Sequence, residues 1–202
     1  MIHEIAILQA ARLKGRLSAE ATATAIGTDV GTAALALEAL QNAGYAKGDK
    51  TFRLTPEGRE RLAELVTAER ATVDQARLAA AYEDFDAHNN ELKQVISDWQ
   101  LRDGNPNDHT DADYDGTVIA RLHNLEQAFA PLRVQIAECA PRLAQYSVRF
   151  EYALEQIDAG DSTYVARPIT DSYHTVWFEF HEELIGLLGL SREAEAAAGR
   201  AV

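Results

Sequence analysis

Five aspartates fall within thirteen residues, Asp103, Asp108, Asp111, Asp113 and Asp115, in the most polar segment of the chain, RDGNPNDHTDADYDGTV. Asp111, Asp113 and Asp115 alternate ahead of Gly116, and Val118 fills the apolar eighth place, which matches the first half of a calcium loop. The twelfth place holds Leu122 where such a loop needs a bidentate Glu. A solvated acidic loop, with Asp115 or Thr117 capping the next helix, is therefore expected, and no metal. His174 and His181 are seven residues apart and share a helical face with Trp177, while His88 lies on another apolar stripe. Facing imidazoles in a helical bundle can bind a metal, but that chemistry uses Glu-x-x-His pairs. His88-x-x-Glu91 and His123-x-x-Glu126 have the reverse order, so core packing is the expected role of these rings. In YHTVWFEFHEEL, the residues Tyr173, Trp177, Phe178, Phe180 and His181 are either plain core or the lining of a pocket for an aromatic or acidic small-molecule effector. Arg149 and Arg167 are the candidate anion partners of that pocket. No Gly-rich phosphate loop, nucleophile elbow or Ser/His/Asp arrangement is present, so neither an enzyme nor a cofactor is expected.

These residues stand on a chain whose composition favours helix. Ala and Leu make up 57 of 202 residues, and β-branched and aromatic residues are sparse. Residues 1–70 hold 9 basic and 9 acidic side chains, so the net charge of −13 belongs to the remainder. An acidic segment of that kind repels phosphate backbones and anionic membrane surfaces, which leaves the neutral first part as the place for nucleic-acid contact. A lone cysteine, Cys139, excludes an intramolecular disulfide and suits a reducing compartment. With no leader-like N-terminus and no long apolar run, the expectation is a cytoplasmic protein without membrane contact.

Hydrophobic spacing divides the chain in two. Over residues 1–70, Ile5, Leu8, Ala11 and Leu13 precede Gly15 as a first helix, and Ser18 starts a second that stops at Gly27. Thr28 is expected to cap a third, running to about Asn42 with Leu35, Leu37 and Leu40 inward. YAKGDKTFRLT then reads as a hairpin about Gly48-Asp49, and Pro56 opens the next helix after Thr55.

That order, with Leu40, Gly44-Tyr45, Phe52-Arg53-Leu54-Thr55 and Glu57-Gly58 in these places, resembles the winged helix-turn-helix domain of bacterial transcription regulators of the MarR and PadR kind. The resemblance covers about residues 3–68, and LTPEGR after a short hairpin is its most specific part. It implies that the third helix enters the major groove and the hairpin wing touches phosphate or the minor groove. On this chain the DNA-contacting residues would be Thr28 and Thr32 at the start of the third helix, Lys47, Lys50 and Arg53 on the wing, and Arg16. The sequence departs from the pattern between Thr28 and Asn42, which contains no Lys or Arg and carries Asp29 and Glu38.

Residues 71–202 read as an acidic helical domain for dimerisation, effector sensing or partner binding. Leu62, Leu65, Val73, Ala76 and Ala80 suggest one long helix leaving the first domain, followed by Phe85, His88, Leu92, Val95 and Trp99. Val118, Leu122, Leu125, Phe129, Leu132 and Ile136 form a second stripe, which Pro131 must kink or interrupt. Pro141 to Gly160 gives a third, Asp171 or Ser172 caps a fourth that ends before Gly189, and the tail forms a short helix. The predicted architecture is mainly α, a winged helix followed by an antiparallel helical bundle. The expected function is a homodimeric, DNA-binding transcription regulator, with Leu62, Leu65 and Val66 in the dimer contact. The alternative is a winged-helix module that never grips DNA and docks a protein partner through the aromatic fourth helix of the bundle.

Overall fold

The computed structural model describes residues 4–197 and residue 199, and the chain is mainly α with a small antiparallel hairpin in its first part. It divides into two compact units, 1–73 and 74–202.

The first unit runs α1 (Glu4–Lys14), α2 (Ala19–Ile26), α3 (Val30–Asn42), β1 (Ala46–Gly48), β2 (Phe52–Leu54) and α4 (Pro56–Arg70). Each later helix begins where a side-chain oxygen accepts an orphan backbone N–H: Ser18 from Ala21, Asp29 from Thr32, Thr55 from Gly58. Asp29, not the expected Thr28, caps α3. Its carboxylate takes both the N–H and the hydroxyl of Thr32 and suits the positive end of the helix dipole. Leu8, Leu17, Leu37, Leu40, Leu54 and Leu62 form the core. Leu35, expected inward, is 69% exposed, because residues two apart on a helix point to nearly opposite sides and Leu37 holds the inward face. The glycine of LTPEGR also has a physical reason. A Cβ on Gly58 would lie 2.0 Å from the Tyr45 carbonyl oxygen, so only glycine lets α4 start this close to the hairpin. Leu62 is buried in this core, and Leu65 and Val66, both half-buried, pack against it.

The expected long linking helix is broken. α4 ends at Arg70, and α5 (Gln75–Gln100) starts afresh after Asp74, whose side chain accepts from the Arg77 N–H. No Gly or Pro marks the break; a capping carboxylate does.

The second unit continues with a two-stranded ribbon, β3 (Leu101–Arg102) and β4 (Asn105–Pro106), then α6 (Ala112–Cys139). A short 3-10 turn, Pro141–Ala144, leads into α7 (Gln145–Asp158), α8 (Thr163–Ala166), α9 (Tyr173–Leu188) and α10 (Arg192–Ala197). Cross-helix pairs give the antiparallel order: Arg77 with Glu138 and Arg121 with Glu91 join α5 to α6, and His123 with Asp158 joins α6 to α7. Arg149 with Glu179 joins α7 to α9. Pro131 does not interrupt α6, whose six expected stripe residues are all buried. Ser172 caps α9, its hydroxyl accepting from the Thr175 N–H, and Gly189 at φ 70° ends it.

Candidate nucleic-acid interface

The hairpin places its charges by register. Lys47 is paired with Arg53, while Ala46 with Leu54 and Gly48 with Phe52 occupy the alternate, inner face. Leu17, between α1 and α2, forms an isolated antiparallel bridge to Phe52, each N–H reaching the other's carbonyl at 2.9 Å. That bridge brings Arg16 to the Arg53 side of the hairpin. Arg16, Lys47, Lys50 and Arg53 are all exposed, and none has an ion pair among the described residues. Like charges directly opposite one another in a sheet are destabilising, so the Lys47–Arg53 pair works against the fold and favours an anion held between them.

α3 offers a different surface. Val30 and Leu35 are exposed at 46% and 69%, Ala34 and Glu38 are exposed, and no cation is present. Of its hydrogen-bonding side chains, Thr32 is bound to Asp29, and Gln41 donates to the Gly48 carbonyl at 3.0 Å, which ties α3 to the hairpin. Thr32 also holds the Asp29 carboxyl below its usual range. Thr28, half-buried, lies outside the helix. Sequence reading identified the wing cations; the row across the strands needed the register and the Leu17 bridge, for which a single apolar residue before Ser18 was the only signal.

Of the residues expected to line an effector pocket, Tyr173, Trp177, Phe180 and His181 are buried core, while Phe178 is half-buried under the Arg192 guanidinium. Tyr173 donates to Glu126 at 2.7 Å, Trp177 donates through Nε1 to Asn89 at 3.0 Å, and His181 Nε2 meets the Tyr82 hydroxyl at 2.8 Å. Their rings pack with Phe85, Phe129 and Phe150, and Phe180 packs against the same three phenylalanines. Burial lowers the pKa of His181 to about 4, and the neutral ring is satisfied by the Nε2–H tautomer donating to the tyrosine, whose own proton goes to Glu195. Arg149 is buried between Asp171 and Glu179, at 3.2 and 2.6 Å, and so is already neutralised. Arg167 is exposed. With α9 buried along most of its length, the aromatic docking surface expected on the fourth helix is also internal.

The three alternating aspartates do not converge. Asp111, not Asp115 or Thr117, caps α6 and pairs with Arg102 at 2.9 Å. Asp113 lies in the first helical turn, and Asp115 accepts from Asn107 and meets His109 Nδ1, each at 2.9 Å. Helical backbone from Ala112 onward replaces the open loop that a cation would need. Among the described residues, no group of three or more His, Cys, Asp or Glu side chains could hold a metal ion, and no helix is long and apolar enough to cross a membrane. The chain matches no family model, no curated protein and no solved structure.

Proposed function

We propose that the chain is a winged-helix transcription regulator that grips duplex DNA chiefly by its phosphate backbone, through the wing. The supporting observation is the exposed, unpaired cationic row of Lys47, Arg53 and Arg16, with Lys50 at the hairpin turn, set beside an α3 without a cation. Base-edge recognition relies on Arg, Lys, Asn or Gln in the groove, whereas phosphate contact needs only positive charge within reach. Weak sequence selectivity and strong salt dependence follow. A homodimer on paired half-sites in the cytoplasm completes the reading.

Fluorescence anisotropy with labelled genomic duplexes tests it. Four phosphate contacts give a loss of about a hundredfold in affinity between 50 and 200 mM salt. Lys50→Glu combined with Arg53→Glu should abolish binding to all sequences alike, and absence of binding at low salt overturns the reading. The second reading, a winged-helix module that docks protein and leaves DNA alone, is favoured by the exposed Val30 and Leu35 on α3.

A further inference from the structure

Ile169, in the loop between α8 and α9, is fully exposed, at 102%, and holds φ at +73°. Left-handed backbone is costly for a β-branched residue and natural for glycine or asparagine. A side chain that strains the chain and buries nothing contributes nothing to this fold, so its use lies outside it. The ion pair between Arg149 and Asp171 brings this loop alongside α7. There Val148 is 68% exposed and Tyr152 43%, one helical turn apart, and the Tyr152 ring meets Tyr164 edge-on at 5.8 Å. Glu151 and Glu155, both exposed, stand on the same stripe of α7, at three and seven residues from Val148.

We propose that this face docks a basic amphipathic helix of a protein partner. An apolar strip with a carboxylate edge fits a helix that presents Leu- or Ile-type anchors flanked by Lys or Arg. Charge decides against the same face of a second copy of this chain. The second unit carries the whole net charge of −13, and Arg167 is the single cation that loop 167–171 supplies against Glu151, Glu155, Asp158 and Asp161. The surface belongs to the second unit and does not rest on DNA binding by the wing.

The test uses the full chain and a dye-labelled amphipathic Leu/Lys peptide, with a scrambled peptide of the same composition as control. Uncharged substitutions separate docking from general attraction to an acidic protein. Ile169→Gly should weaken binding about tenfold, the value of one buried Ile side chain, and at the same time raise the melting temperature by relieving the backbone. Val148→Ala should also weaken it, whereas Leu101→Ala, exposed on the β3–β4 ribbon, should not. The proposal is overturned by equal binding of the scrambled peptide, by unchanged affinity in Ile169→Gly, by a lower melting temperature in that variant, or by a concentration-dependent dimer that Ile169→Gly abolishes.

Discussion

The cations around the hairpin of the first unit stand outside, and three arginines of the second stand inside. Arg16, Lys47, Lys50 and Arg53 are exposed around one hairpin. Arg133, Arg142 and Arg149 are only 4–6% exposed at their side chains, and each meets a carboxylate at 2.6 Å: Glu126, Glu183 and Glu179. The same residue type therefore does opposite things. On the wing, charge is left free for something else; in the bundle, charge is spent on holding α7 and the turn before it against α9, since a slip in register would separate Arg149 from Glu179 and Arg142 from Glu183. Net charge, −13 for the chain, reports neither arrangement.

The comparison is broken most directly by removing one arginine from each unit. Arg149→Ala leaves Glu179 and Asp171 buried without their cation and should cost about 3–5 kcal/mol, whereas Arg53→Ala should stay within about 0.5 kcal/mol. Urea unfolding measures both, and equal costs would show the distinction to be empty.

Acid sharpens it next. The folded pKa of His181 lies near 4, below its ordinary 6.5, so the unfolded chain binds a proton that the folded one refuses. Stability is then fully present above pH 6.5 and falls as pH drops towards 4, by on the order of 3 kcal/mol from this residue. His174 and His88 are shifted in the same direction by burial. The described residues of the first unit include no histidine, so the loss that these three histidines cause falls on the second. Imidazole NMR resonances of His181 that titrate near pH 6.5 would refute this.

The smallest effect is also the most diagnostic. Lys47→Glu replaces a like-charge pair with an opposite one and should stabilise the hairpin by a few tenths of a kcal/mol, up to about 1, while lowering DNA affinity at every sequence. A change of both in the same direction would detach the cationic row from binding.

Much of this was legible in the sequence, for reasons tied to particular residues. Ser18, Thr55 and Ser172 cap helices where their types suggested, and the Val118–Ile136 stripe survives Pro131 because periodicity over about five turns outweighs one missing N–H. Local signals failed wherever two good caps compete, as at Thr28 with Asp29 and at Asp115 with Asp111, and wherever a break needs no Gly or Pro, as at Asp74. The site was half legible. Wing cations are visible as residue types, but their alignment depends on strand register and on a bridge from thirty-five residues upstream. The aromatic segment misled because burial is a tertiary property: spacing fixed a face for Tyr173, Trp177 and His181 and said nothing of what would cover it.

The interruption at Asp74 has a consequence for how the molecule is made. A continuous helix would leave the first unit's last element unfinished until the bundle was synthesised. Here α4 ends at Arg70, and Ala71 and Thr72 close it with N–H groups returned to Thr67 and Glu69. Residues 4–73 therefore hold their own core and both caps of α2, α3 and α4 by the time Asp74 is added. During translation the first unit can complete its fold as soon as it clears the ribosome, with the acidic bundle still unwritten behind it.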